Sequence, residues 1–303
     1  MKLPAEFGLI ARHFRPLAAP GALDLLDDAA IVTPPPGREL VLTTDTIVAS
    51  VHFLPDDPPG LVAQKLLRVS LSDLAAMGAD PWAYLLNVSV PRNTPEAWWK
   101  AFAAGLALDQ AAYGLMLLGG DTTSTPGPVS LTATLLGTVA PGQALRRTGA
   151  RAGDALWVSG TIGDGALGLR ALRGEIPDPG RYLAGRYHLP QPRLGLARYG
   201  VVHACMDVSD GLLQDAGHLA RAAGLAVQVD ADLVPLSAPA RAAGPDWFAT
   251  CLTGGDDYEL LVAAPLASTP GPLFTRIGQF VPGDGVTLLN GPELTGAHGW
   301  SHV

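Results

Sequence analysis

VSLSDLAAMGADP, residues 69–81, reads as the end of a helix followed by a turn. Upstream, Leu61, Val62, Leu66, Leu67, Val69 and Leu74 recur at three-to-four spacing. Asp57 is a candidate N-cap, Pro58 falls in the first turn and Gly78 is the expected terminator. That register puts Asp73 in the last turn, where the negative end of the helix dipole disfavours a carboxylate. An acid in that position calls for a compensating cation.

Outward from this helix, ELVLTTDTIVAS (39–50), PWAYLLNVSV (81–90), MLLGGD (116–121) and VSLTATLLGTVA (129–140) read as strands. PEAWWKAFAAGLALDQAAYG (95–114) reads as a helix. The polar connector PGQALRRTGARAGD (141–154) precedes a strand at ALWVSG and is the expected domain junction, dividing the chain into 1–140 and 141–303. Further strands are expected near HACMDVS, LAVQVDA, YELLVAA and RIGQF, and helices near LGLAR (194–198), DGLLQDAGHLARAAG and SAPARAAG. Each half thus mixes sheet and helix, an α+β arrangement in two domains.

The chain has 303 residues, 48% of them hydrophobic and 16% charged, which is ample for two cores. A net charge of -8 argues against nucleic-acid binding, which needs a basic surface to displace condensed counterions. The N-terminal MKLPAEFGLIARHF lacks a continuous apolar run, so neither a signal peptide nor a membrane span is expected, and the protein is read as cytoplasmic. Cys205 and Cys251 are then expected to be reduced and buried. Lysine occurs only at positions 2, 65 and 100, so arginine carries most of the positive charge.

Short acidic motifs recur beside small residues: LLDDAA with Asp27 and Asp28, TTDT with Thr43, Thr44 and Asp45, SLSD with Asp73, GGDTT with Asp121, DVSDG with Asp207, Ser209 and Asp210, and GGDDYEL with Asp256 and Asp257. Singly, each could cap a helix or start a turn. As a set they suit hard divalent cations such as Mg2+, which take oxygen ligands and bridge protein carboxylates to phosphates. The glycines of LGGDTT and of SGTIGDGALG (159–168) permit close backbone approach, and the latter leads from strand to helix, where free amides suit an anion or a tight turn. No GxxxxGK[ST] loop occurs, so any ATP is held by another architecture. Arg147 in RRTGA and Lys65, on roughly the same helical face as Asp73, could each meet phosphate or form an ordinary ion pair; His52 is the histidine beside an acidic motif.

The ordered set LSDLAAMGADP, TTDT with a following HFLP, GGDTT, RTGA, SGTIGD, DVSDGL and GGDDYEL resembles the thiamine-monophosphate kinase family, of the aminoimidazole ribonucleotide synthetase-like ATP-binding superfamily. The resemblance implies a two-domain fold: an N-terminal mixed sheet with helices that pairs in a homodimer, and a C-terminal α/β domain that completes the active site. It implies Mg2+-dependent transfer of the ATP γ-phosphoryl group to thiamine phosphate, with several ions. Carried over by motif, Asp28, Thr43, Thr44, Asp45, Asp73, Asp121, Asp207 and Asp210 would hold metal. Asp45, Asp73, Asp121 and Arg147 would act in catalysis, Gly120, Asp121, Arg147 and Ser209 would contact ATP, and His52, Asp256 and Trp300 would contact thiamine phosphate. The chain departs from the family pattern at Leu26, where a glycine is usual, and at Asp256, where a glutamate is usual. A synthetase of the same superfamily and a non-catalytic phosphate binder are the rival readings.

Overall fold

The computed structural model describes residues 5–294 and 299–300, which fall into two compact units. Unit 1 comprises residues 1–74 and 80–142, and unit 2 comprises residues 75–79 and 143–303.

Unit 1 contains α1 (Ala5–His13), β1 (Glu39–Val48), α2 (Pro59–Ala76, whose last residues count with unit 2), β2 (Asp80–Val90), α3 (Glu96–Tyr113), β3 (Met116–Ser124) and β4 (Ser130–Val139). The strands form one sheet in the order β1-β4-β2-β3, antiparallel except for the β2–β3 pair. Strand alternation sends Ile47, Leu131, Leu135, Tyr84 and Val88 to a buried face. Both α2 and α3 cover that face, since Ser70 of α2 reaches Asp45 and Gln110 of α3 reaches the Tyr84 hydroxyl. The opposite face carries Leu42, Thr44 and Thr46, all exposed.

The two helices meet at backbone distance. A Cβ built on Gly105 of α3 would lie 2.1 Å from the Gly60 carbonyl oxygen of α2. The ion pair from Arg68 to the buried Asp109, with Gln64 donating to the same carboxylate, pins this crossing.

Unit 2 contains β5 (Ala155–Ser159), α4 (Asp164–Leu172), α5 (Tyr182–His188), β6 (Ala204–Asp207), α6 (Leu212–Ala222), β7 (Ala226–Asp230), α7 (Ala238–Ala242), α8 (Phe248–Thr253), β8 (Leu260–Ala264), β9 (Phe274–Val281) and β10 (Gly285–Leu289). Its sheet runs β10-β7-β9-β5-β8-β6, with β10 and β7 parallel and the other neighbours antiparallel. On one face Leu212, Leu213, Ala216 and Leu219 of α6 pack on Val227, Leu261 and Phe280. On the other, Ala75, Ala76 and Leu145 pack against Cys205, Val262 and Ala264.

The expected strands form, and α2 ends before Gly78, which takes a φ of 66° as a terminator should. Residues 194–198, expected to be helical, form a turn instead. Gly195 at φ 69° interrupts any helical register there. Both cysteines are free and buried; burial raises the Cys205 thiol far above its usual range and pushes Cys251 up to about 12, so neither is a poised nucleophile. Among the described residues no helix is long and apolar enough to cross a membrane.

Gly105→Ala tests the helix crossing. Alanine gains ~1 kcal/mol of helix propensity over glycine, but forcing a methyl into the Gly60 carbonyl costs ~3 kcal/mol through overpacking. A net fall in stability is therefore expected in urea titrations, with the unfolding slope unchanged.

Candidate functional site

Asp73 on α2 and Asp45 on β1 meet on the helix-covered face of the unit 1 sheet. The Thr43 hydroxyl donates to Asp73 Oδ2, and the Ser70 hydroxyl donates to Asp45 Oδ2 at 2.8 Å. Two residues of β1 and two of α2 thus form one oxygen-lined cluster. Burial, followed by the adjacent Asp73 charge, raises the Asp45 pKa to about 6. All the donors are oxygens, the set that a hard divalent ion takes, so the residues fit Mg2+.

The register separates other expected members from this cluster. Asp45 shares a row with Ala133, Leu86 and Gly120, whereas Asp121 shares the next row with Asn87, Thr132 and Thr46. Side chains alternate across a sheet, so Asp121 leaves the face opposite Asp45. Thr44 also lies on that opposite face, where its hydroxyl bonds Thr134 at 3.0 Å.

Asp121 instead borders a cavity of about 610 Å³ that wraps the β3 edge of the sheet, between it, α1 and the segment holding Asp27 and Asp28. Gly120 lies in its wall with a φ of 151°, and a Cβ there would come within 1.7 Å of the Leu86 carbonyl oxygen. Glycine is therefore required at this position by the sheet itself. Unit 1 thus carries two acidic centres, one half-buried beneath α2 and one at the sheet edge.

His52 sits in the turn after β1, where its Nδ1 accepts the Val48 N–H at 3.1 Å. This places the proton of the neutral ring on Nε2. Lys65, which could have met phosphate or formed an ion pair, is buried at 2% exposure, and its Nζ donates to the His52 carbonyl at 2.9 Å. It supports the His52 turn from inside and is not a surface cation.

In unit 2 the DVSDG motif is a loop between β6 and α6. Val208 N–H donates to the Glu259 carbonyl, while Tyr258, Asp256 and Trp300 N–H groups donate to the carbonyls of Val208, Ser209 and Asp210. The expected substrate contacts Asp256 and Trp300 are thereby placed beside Ser209 and Asp210. The Tyr258 hydroxyl donates to the Asp256 carboxylate at 3.1 Å, with both residues at positive φ. Arg147 is exposed and near enough to help hold His218 below its usual pKa range, after burial and Arg221.

The composition of the motifs did not point to Asp215. It is 1% exposed, and its Oδ2 accepts the N–H groups of Ser209, Asp210 and Gly211 at 3.0, 3.0 and 3.2 Å. Burial, then the charges of Asp207 and Asp210, pushes its pKa up to about 8. The sequence signal was an acid in the first turn of the helix that follows DVSDG.

The glycine loop 159–168 does form the expected strand-to-helix turn. Its amides are occupied from within, since Gly163 and Gly165 N–H groups donate to the buried Asp257 carboxylate at 2.7 and 3.1 Å. Asp164 at the start of α4 accepts from the Thr161, Ser237 and Tyr182 hydroxyls, and Arg186 and Arg193 both reach Glu259. This polar interior ties the glycine loop to GGDDYEL.

The Asp45 shift has a definite sign in the ion-free protein. Its folded pKa is raised, so the folded state favours the proton, and that advantage is lost as pH rises from about 4 through about 6. The melting temperature of Asp45→Asn relative to the parent should therefore climb across this window and level off above it. Calorimetry from pH 4 to 8, repeated with Mg2+, checks this; the ion should narrow the gap.

The AIR synthase related protein N-terminal domain matches residues 26–139, and its C-terminal domain matches residues 151–269. The chain is 45% identical to the thiamine-monophosphate kinase of Caulobacter vibrioides over 99% of its own length and 91% of that protein. The crystal structure of thiamine-monophosphate kinase from Stenotrophomonas maltophilia K279a superposes with a TM-score of 0.83 at 40% identity, covering 94% of this chain and 96% of that one. AaThiL complexed with AMPPCP and TMP superposes with a TM-score of 0.81 at 30% identity, covering 100% and 99%. With both of its domains matched and this degree of identity over nearly its whole length, the chain belongs to the thiamine-monophosphate kinase family.

Proposed function

We propose that this protein transfers the γ-phosphoryl group of ATP to the phosphate of thiamine phosphate, giving thiamine diphosphate and ADP. The observation that carries the reading is the Asp45–Asp73 pair, two carboxylates held together on a β-strand and a helix end in a chain of this family.

The attacking oxygen belongs to a phosphate that already carries about -1.5 to -2 charge near neutral pH, so no strong general base is required. The barrier is the approach of two polyanions. Mg2+, when bound, supplies the positive charge that lowers this repulsion. In unit 1, Thr43, Asp45 and Asp73 would hold ions at one centre, and Asp28 and Asp121 at the other. Thr44 would contribute through its backbone, given the direction of its side chain. In unit 2, Asp207 and Asp210 would hold ions, with Ser209 and Arg147 contacting the triphosphate; arginine's planar fork matches phosphate oxygens.

Gly120 would contact the nucleotide through its backbone. His52 would donate from Nε2 to the phosphate of the acceptor, with Asp256 and Trp300 contacting the same substrate. The cavity beside Gly120 and Asp121 has a volume suited to one reactant. The net charge of -8 supports small-molecule partners over nucleic acid, and ATP as co-substrate suits the cytoplasm.

The open face of the unit 1 sheet supports a homodimer. Leu42 is 63% exposed, and Leu40 and Leu85 are each 39% exposed; an apolar patch of this kind on a sheet favours pairing with a second copy. Leu42→Asp is expected to shift the protein toward monomer in size-exclusion chromatography with light scattering.

Incubation with ATP, Mg2+ and thiamine phosphate should yield thiamine diphosphate by mass spectrometry, and ADP release should require the acceptor. Asp45→Asn and Asp73→Asn should each lower kcat by at least about 100-fold, the scale of losing a main electrostatic contact to a transition state. Full turnover by either variant would remove the assignment, and tight ligand binding without ADP would favour the non-catalytic reading.

A further inference from the structure

We infer that Asp215 is a positioning residue for the DVSDG loop, shaping it through hydrogen bonds. The inference rests on the reading of Asp207 and Asp210 as ion-holding residues.

Three consecutive amides, Ser209, Asp210 and Gly211, converge on the single oxygen Oδ2 of Asp215. Asp215 N–H in turn donates to the Gly211 carbonyl, closing the turn on itself. The carbonyls of Val208, Ser209 and Asp210 are taken by Tyr258, Asp256 and Trp300, and the Val208 amide by Glu259. From Val208 to Gly211, every backbone donor and acceptor is thus satisfied within the protein. Gly211 adds a steric constraint, because at φ 130° a Cβ would lie 2.6 Å from the Thr253 carbonyl.

The loop is therefore pre-organised, leaving side chains as its means of meeting a ligand. Three N–H dipoles aimed at one oxygen form an anion-binding nest that the protein fills with its own carboxylate. Filling it this way denies the amides to phosphate and fixes the directions in which Asp207, Ser209 and Asp210 project. An acid used only to cap α6 would stabilise the helix without affecting ion affinity.

The test compares Asp215→Ala with Asp215→Asn, which keeps an acceptor oxygen but not the charge. Positioning predicts that D215A raises the half-saturating Mg2+ concentration by about 10- to 100-fold, as loss of a group that orients metal ligands does. The KM for thiamine phosphate should stay within about twofold, and D215N should recover most of the loss. Binding of Mn2+ in the presence of a non-hydrolysable ATP analogue, followed by electron paramagnetic resonance, supplies a readout independent of turnover. If the parent binds Mn2+ but forms no thiamine diphosphate, the kinase reading fails while the positioning test still stands. A folded D215A with unchanged ion dependence would overturn the inference. So would equal loss in D215A and D215N, which would make the charge the active feature. If D215A does not fold, by circular dichroism, Asp215→Ser takes its place with the same two outcomes.

Discussion

Burial of carboxylates held close to one another is the constraint that the two units share. Asp45 and Asp73 in unit 1 come from a strand and a helix, and Asp207, Asp210 and Asp215 in unit 2 from one strand-loop-helix segment; burial first, and neighbouring carboxylates second, raise the pKa values of Asp45 and Asp215. Folding does not favour such clusters, because each shift represents free energy withheld from stability. Rigid secondary structure has to impose them. The α2–α3 crossing at Gly60 and Gly105 and the hydrogen-bonded β1–β4–β2 core fix the helix and the strand that carry Asp73 and Asp45.

Backbone amides are the second theme. In two places the protein builds an anion-binding arrangement of N–H groups and then occupies it with its own acid: Asp257 on the Gly163 and Gly165 amides, and Asp215 on the loop at 209–211. Such internal anions stiffen glycine-containing loops that would otherwise sample many conformations. Stiff loops suit electrostatic catalysis, in which groups must already point at the developing charge before the reactants arrive.

Much of the fold was legible along the chain because its strands and long helices carry local signals: alternation in residues 39–50 and 129–140, helical spacing before Asp73, and Gly78 as a terminator. Residues 194–198 misled, since LGLAR has helix-forming composition but Gly195, its second residue, takes a positive φ. The short α5 and the network through Arg186, Arg193 and Glu259 were not legible either, as their partners lie about 70 residues apart and no local pattern reports them.

The sequence by itself determined the class of fold, the family and the identity of the acidic motifs, because periodicity and motif order are properties of the linear chain. Tertiary structure alone decided which acids share a place. Pairing register sent Asp121 to the face opposite Asp45, burial turned Lys65 inward to the His52 carbonyl, and the closing of the 207–211 loop set Asp215 at its centre. These outcomes follow from strand alternation and from contacts between residues remote in the chain, so they appear only once the backbone has been placed in space.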